Sequence, residues 1–355
     1  MVPGEVCVLG AGIIGLLTAR CLQGRGYTPT LISNTDPRSS SSAAAAGIML
    51  PTFPFHPTST EFKRRLRWMA DSISYLSKYR EGQFYTTVRH VEFFRRGVAE
   101  GQIPADWLFQ SGIYDRSALV TLNFDVDGFG EYAWLDVPHF DTVSLLEAFY
   151  ADFLEAGGVH LVQTVDRSTV ESVSASHVFN CLGINAGSMF GDHTLEPVFG
   201  QAIRYPPSRW RFGLGMGDFF VLSSQFGFYL GSPFIRGDGV FGPKRVHYED
   251  LSKFLRTTLP KAAAVVGLEF DGSQLGPPLE TVSGIRPFRP GGARVEVERS
   301  GSKLVVHNYG HGAHGWAAGW GAAVEAVTKW EGYLHGIQGL KGPRAAIEGT
   351  SDWGI

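Results

Sequence analysis

The run Val8-Leu9-Gly10-Ala11-Gly12-Ile13-Ile14-Gly15-Leu16 carries a G-x-G-x-x-G spacing between apolar flanks, and its reading decides the fold. Before it, Val6-Cys7-Val8-Leu9 is a short apolar run of the kind that forms a strand covered on both faces. After it, residues 13–23 read as a helix that Gly24 and Gly26 end, and residues 29–33 read as a second strand. Together they make a β-α-β start within about 30 residues. In that context the first glycine permits the tight turn, the second lets the backbone approach a pyrophosphate, and the third allows close helix-to-strand packing. The helix N-terminus adds N–H groups and a positive dipole end. The unit predicts dinucleotide binding. The acidic residue expected at the end of the second strand, which would hold a ribose hydroxyl, is replaced by Asn34, with Asp36 two positions on.

The chain has 355 residues, with 45 Gly, 19 Pro, and 44% hydrophobic against 18% charged residues, which excludes disordered, collagenous and coiled-coil classes. Single cores stop growing at roughly 250–300 residues, so two lobes sharing a cleft are expected. Thirty-one Lys and Arg against 34 Asp and Glu leave a net charge of −3, too little to gather nucleic acid or an anionic membrane. Cys7, Cys21 and Cys181 are too few and too far apart for a disulfide framework, and no C-x-x-C pair suggests zinc. No metal is expected, and a reducing, cytoplasmic setting fits. The apolar stretch 6–22 lacks a basic leader region, and no other segment approaches the roughly 20 apolar residues that cross a bilayer. The final residues, Ser351 to Ile355, do not form the peroxisomal tripeptide.

Further along, residues 62–76 read as a helix within an aromatic-rich region, 56–135, that does not repeat the β-α-β rhythm. Asp141 is placed to cap a helix to about residue 155, with Leu145, Leu146, Phe149 and Phe153 on one face, before a strand over 159–162. Val178-Phe179-Asn180-Cys181 returns to the buried-strand pattern. Short runs of Gly, Phe and Tyr over 201–246 predict antiparallel strands. Residues 254–259 read as a helix end closed by Pro260, and the tail as strand, glycine cluster and a helix near 319–334. Residues 39–46 read Ser-Ser-Ser-Ser-Ala-Ala-Ala-Ala, by composition alone a flexible linker.

Two more segments narrow the reading. Gly284-Ile285-Arg286-Pro287-Phe288-Arg289-Pro290, and Asn308-Tyr309-Gly310-His311-Gly312-Ala313-His314-Gly315-Trp316 followed by Trp320-Gly321, together with the opening run resemble the D-amino-acid oxidase family of glycine/sarcosine oxidase-related flavoproteins. Residues 180–187, Asn-Cys-Leu-Gly-Ile-Asn-Ala-Gly, and Gly200-Gln201 resemble that family's internal motifs in the same order. The similarity covers nearly the whole chain. It implies an α/β plus β architecture: a discontinuous Rossmann-like FAD-binding domain (1–55, 136–192 and 280–355) and a second, mixed or antiparallel-sheet substrate domain (56–135 and 193–279). FAD would lie extended, its pyrophosphate at Gly10, Gly12, Ile13, Ile14 and Gly15, its ribose near Asn34, and its phosphates against Ser40, Ser41 and Ser42. That position turns the serine run from linker to phosphate-contacting turn. Gly47 and Ile48 would pass the flavin ring, Val165 would offer backbone groups to the adenine, and Cys181 and Gly183 would border the cofactor. Backbone N–H groups of His311, Gly312, Ala313, His314, Gly315, Trp316 and Ala317 would face the flavin edge where negative charge gathers on reduction. Ala317 replaces the family's usual threonine. For His311, a structural loop role and a catalytic duty stay open.

The resemblance further implies that Arg286 grips a substrate carboxylate with two parallel hydrogen bonds, a geometry lysine does not reproduce. Arg289 is read as structural. The carbonyl of Ala313 would accept a hydrogen bond from the substrate amine. The expected chemistry is oxidative deamination of a D-amino acid: hydride loss to flavin, hydrolysis of the imino acid to the keto acid, and reduction of O2 to H2O2. The expected partners are a small-molecule amino acid or amine and O2, with a homodimer admitted. Family members hold substrate with two tyrosines; here Tyr229 matches one, and Phe234 stands where the second hydroxyl would be. Lys244 and Arg245 read as surface cations or as an added anion contact. The alternatives are a glycine/sarcosine-type or specialised biosynthetic amine oxidase, and a non-catalytic flavin-binding module.

Overall fold

The computed structural model describes residues 6–95, 105–112, 115–217, 219–231, 235–236 and 248–336. Phe234, Lys244 and Arg245 lie outside the described residues. In chain order the elements are β1 (Val6–Leu9), α1 (Ile13–Gly24), β2 (Thr30–Ser33), α2 (Thr60–Leu76), β3 (Tyr85–Arg95), α3 (Ala105–Phe109), β4 (Leu119–Val126), β5 (Phe129–Phe140), α4 (Thr142–Glu155), β6 (Val159–Val162), α5 (Arg167–Ser172), β7 (His177–Asn180) and α6 (Ala186–Phe190). There follow β8 (Glu196–Tyr205), β9 (Phe212–Met216), β10 (Phe219–Ser224), β11 (Gly227–Gly231), β12 (Ile235–Arg236), α7 (Tyr248–Lys253), α8 (Leu259–Val265), β13 (Glu280–Phe288), β14 (Arg294–Ser300), β15 (Lys303–Tyr309) and α9 (Gly315–Leu334).

Among the described residues the strands form two sheets. The first, six-stranded, has the order β14-β15-β7-β1-β2-β6, parallel except for the β14–β15 hairpin. All four residues of β1 are buried: Val6 and Val8 join the core shared with α1, α2, α4 and α9, while Cys7 and Leu9 face a second cluster with Ile32, Ala175 and Val178. Apolar contacts on both faces explain why this strand reads as an unbroken apolar run rather than an alternating one. The chain leaves β1 for β2 on one side, and β7 flanks it on the other. The crevice at the carboxyl end of β1 is therefore the switch point at which open α/β sheets bind ligands.

The second sheet has nine strands, in the order β12-β8-β11-β10-β9-β3-β5-β4, with β13 also paired to β8. Its pairings are antiparallel except for β3 with β9. The sheet is strongly concave. His139 on β5 and Tyr229 on β11 have three strands between them, yet their ring centroids are 5.8 Å apart.

Local signals behave largely as the sequence predicts. Asp141 caps α4 by accepting from Ser144 N–H at 3.2 Å, and the four predicted apolar residues of that helix are buried. The helix α9 starts at Gly315, four residues before the predicted 319. Pro260 corrects the reading: it does not close a helix but lies inside a helical stretch, in the first turn of α8. The preceding residues Phe254–Thr258 form a π-turn, with Leu259 N–H reaching Phe254 carbonyl. A wider turn there, and an N-terminal position for the ring, remove the clash and the missing donor that would otherwise break the helix.

Sheet membership divides the chain at different points from the expected bounds. Helix α2 lies in the 56–135 span yet buries Phe62, Trp68, Met69 and Leu76 in the core of the first sheet. Strand β13 lies in the 280–355 span yet is bonded to β8 along its whole length. No helix among the described residues is long and apolar enough to cross a membrane.

Helix α9 crosses α2 closely at Gly321, where a Cβ would lie 2.3 Å from Trp68 Cα. Alanine there would gain about 1 kcal/mol of helix propensity but would have to push two backbones apart, an overpacking cost of about 1–3 kcal/mol. Gly321→Ala is therefore expected to lower the denaturation midpoint, measured by far-UV circular dichroism in urea; a raised midpoint would refute this packing.

Candidate active site

A single cavity of about 1300 Å³ runs from the glycine turn after β1, past the 310–317 loop, to the concave face of the second sheet. Ligand pockets for one small molecule are usually about 300–1000 Å³, so this volume has room for a dinucleotide and a substrate together.

At the first end, Gly10 has φ +99°, and a Cβ on it would lie 2.6 Å from Cys181 carbonyl. On Gly15 a Cβ would fall 1.8 Å from Gly10 carbonyl. Gly15 is thus the packing glycine and, alone among the predicted cofactor residues, stays out of the cavity wall. Gly12 begins α1 without a side-chain cap. Ser42 bends over the turn, its Oγ accepting from Ile13 N–H at 3.0 Å, which keeps the hydroxyl proton for another acceptor. Ser40 spends its proton on Pro37 carbonyl at 2.6 Å. Asn34 lines the cavity, whereas Asp36 does not: it caps the turn Pro37–Ser39 and pairs with Arg38. Val165, Cys181 and Gly183 line the same end, and Gly47 and Ile48 lie further along the wall. The groove floored by Gly10 and Gly12 and headed by α1 fits an FAD pyrophosphate, with Ser42 as a hydroxyl donor beside it.

The loop between β15 and α9 forms the middle of the wall, with His311, Gly312, Ala313, His314, Gly315, Trp316 and Ala317 all lining the cavity. A buried network fixes it. His311 Nε2 meets Asn308 Oδ1 at 2.9 Å, and Asn308 Nδ2 donates to Thr18 of α1 at 3.1 Å. Arg65, missed by sequence reasoning and buried, donates from Nη1 to His311 carbonyl at 3.0 Å and is paired through Nε with Glu61 at 2.8 Å. Trp316 Nε1 donates to Ser42 carbonyl at 3.0 Å, tying this loop to the serine turn. Burial and the nearby Arg65 hold His311 well below the usual histidine range; His314 is pushed down to about 3 by burial, Arg65 and Arg286. Both rings are neutral at neutral pH.

Arg286 stands on β13 in the cavity wall. Its guanidinium lies over Gly200 of β8, where a Cβ would come within 1.9 Å of Nη1, so only glycine leaves it room. Nη1 donates to Phe199 carbonyl at 3.3 Å. Burial lowers its pKa to about 10, which still leaves it charged at neutral pH. An antiparallel bridge from Phe288 to His311 sets this strand against the loop. Arg289 is structural, donating to Asp192 at 2.9 Å. Tyr229 is not in the cavity wall: its ring lies 5.8 Å from His139, with Arg204 over it. It sits two residues before Gly231 on the same face of β11, and it is Phe220, opposite Gly231, that lines the cavity.

His90, Glu92 and Phe94 of β3 line the cavity and were also missed. A signal for them existed in Gly213-Leu214-Gly215-Met216-Gly217: glycine at every second position strips one face of a strand, leaving space for the next strand's side chains.

The family model described as "FAD dependent oxidoreductase" (DAO) matches residues 5–328. The human protein named D-aspartate oxidase is 26% identical over 365 residues, covering 95% of this chain and 98% of its own. The Dictyostelium discoideum protein named D-amino-acid oxidase is 28% identical over 337 residues, covering 91% and 90%. The glycine oxidase structure from Geobacillus kaustophilus superposes with a TM-score of 0.71 at 18% identity, covering 92% and 94%, a likeness of fold.

Gly12→Val is expected to strip FAD, because a branched side chain facing Ser42 closes the approach to the pyrophosphate; the flavin absorbance of the purified variant measures it, and normal occupancy would count against this cofactor groove. Two histidines with depressed pKa values set a pH dependence. His139 and His314 are held near 3 in the fold against a usual value of 6.5, so the unfolded chain binds more protons between those values. Stability is complete above about pH 6.5 and is lost progressively as pH falls toward 3. Replacing His139 with Phe should flatten that slope in urea melts across this range.

Proposed function

The chain belongs to the FAD-dependent oxidoreductase family, and we propose that within it the protein oxidises a D-amino acid to the imino acid, which water converts to the keto acid, with O2 reduced to H2O2. The observation that carries this reading is the half-buried guanidinium of Arg286, laid over Gly200 in the wall of a cavity that also holds residues 311–315. The relatives named D-aspartate oxidase and D-amino-acid oxidase, each aligned over at least nine-tenths of the chain, support the D-amino-acid choice.

Bound FAD supplies the two-electron oxidation of the substrate amine. Arg286 binds and orients the substrate: two parallel N–H donors set both the position and the angle of a carboxylate, and a desolvated site strengthens them. The carbonyl of Ala313 accepts from the substrate amine on the other side. Together these hold the α-carbon in one orientation, and fixing the reacting groups in place is a rate contribution that needs no proton transfer by the protein. The substrate amine binds neutral, having left its proton to water, so its nitrogen lone pair forms the imine as hydride leaves, and neither His311 nor His314 is assigned as a base. Main-chain N–H groups at the start of α9 provide donors and a positive dipole end toward negative charge developing on the cofactor.

Arg286→Leu should retain flavin yet lose roughly a hundredfold to several-thousandfold in kcat/KM, since removing one partner of a buried charge-assisted pair costs about 3–5 kcal/mol. A peroxide assay with D-amino acids, glycine and N-methyl amines measures it and tests the substrate class. Unchanged kcat/KM on every carboxylate substrate would reject the assignment of Arg286, and peroxide from glycine or N-methyl amines alone would move the reading to those substrates.

A further inference from the structure

The concave face of the second sheet carries a repeated device: a large side chain lying over a glycine of the neighbouring strand. Arg286 lies over Gly200, Phe220 over Gly231, and Glu92 over Gly215, with would-be Cβ contacts of 1.9, 1.9 and 2.0 Å. All three side chains line the cavity. Register puts Ala133, Glu92, Gly215, Phe220, Gly231 and Ala202 in one row across six strands. The floor thus runs from a cation through an aromatic ring to a carboxylate.

Glu92 is held in place. Its Oε2 meets His90 Nε2 at 2.8 Å, and His90, which is buried, fills the space over Gly213 in the next row. Among the described residues, the other permanent cations of the cavity wall are engaged elsewhere: Arg65 with Glu61, and Arg95 over the ring of Phe129 at 4.3 Å. The partner of Glu92 among the described residues is thus a histidine, charged only when protonated, and a ligand cation would complete the pairing of this carboxylate.

Resting on the proposed oxidase reading of this cavity, we propose that Glu92 is a specificity-determining residue and that the substrate carries a cationic side chain, an amino acid of the lysine, ornithine or arginine type. Its carboxylate lies on Arg286, its methylene stem on Phe220, and its terminal ammonium or guanidinium on Glu92. The two charged groups stand over β8 and β9, three strand spacings apart and, because Gly200 lies two residues along β8 from Ala202, also offset along the strands, about 16 Å on a flat sheet and less on this concave one. Two hydrogen bonds of about 2.9 Å leave a gap that a side chain of lysine length spans.

The test uses the FAD-loaded enzyme and two probes that lack an α-amine, 6-aminohexanoate and hexanoate, with binding read from the flavin absorbance. The cationic probe should bind at least about tenfold tighter, as a charge-assisted hydrogen bond requires, and Glu92→Gln should cut that ratio below about threefold. Glu92→Asp, which keeps the charge one methylene further back, should retain a preference for cationic probes and move it to 7-aminoheptanoate. Equal or tighter binding of hexanoate by the wild-type enzyme, or an unchanged ratio in Glu92→Gln with flavin retained, would overturn the proposal. Turnover is scored separately. Peroxide from D-norleucine without cation preference sinks this inference and leaves the oxidase reading, whereas cation-selective binding with no peroxide from any D-amino acid does the reverse.

Discussion

The backbone bridge between Phe288 and His311 joins the two halves of the site. Phe288 ends β13, a strand of the second sheet, two residues after Arg286; His311 opens the loop that the first sheet delivers through β15. Without a fixed relation between them, the guanidinium and the loop would be separate features of separate sheets. One bridge is a weak restraint by itself, so its reinforcement matters. Arg65 donates to the carbonyl of the same His311 from helix α2 and is held by Glu61. Such a buried pair adds little net stability, yet removing either partner costs about 3–5 kcal/mol. Its effect is to hold one loop position.

Glycine is used in two physically different ways around the cavity. At Gly10 and Gly47 the backbone itself demands it, with positive φ and carbonyls within 2.6 and 2.2 Å of a would-be Cβ. At Gly200, Gly215 and Gly231 the backbone is ordinary strand, and the missing side chain is what counts, because each gives floor space to a side chain from the next strand. The first use shapes the cofactor end and the second shapes the wall opposite it. A sheet built with ordinary side chains at those three positions would lift Arg286, Phe220 and Glu92 off its surface and fill the cavity.

Buried imidazole rings in the polar interior are held neutral. Three histidines, buried His139 and His311 and half-buried His314, are uncharged, and each adds to acid sensitivity rather than offering a proton at neutral pH. Asn308 links His311 to Thr18 on α1, so the loop and the cofactor helix share one hydrogen-bond chain. The position of that loop depends on these buried groups keeping their partners.

The β-α-β start, the capped helix after Asp141 and the buried strand before Cys181 were legible in the sequence because each depends on neighbours only a few residues away: apolar runs, a capping carboxylate, glycines at fixed spacing. The cofactor end was legible for the same reason, since Gly10 to Gly15 is one local turn, and the motifs around Arg286 and His311 marked the residues of the wall. Where those residues meet was not. The membership of α2 in the first core, the bond of β13 to the second sheet and the absence of Tyr229 from the wall depend on register and sheet curvature, which sum small twists over many strands and leave no short signature. Pro260 fails as a stop signal because a single π-turn accommodates it. Glu92 and His90 look like ordinary polar residues of a strand; only the parallel pairing of β3 with β9, which brings Gly213 and Gly215 beside them, turns their face toward a cavity. Local chemistry determined what groups this protein carries, and the long-range pairing of strands decided which of them face one another.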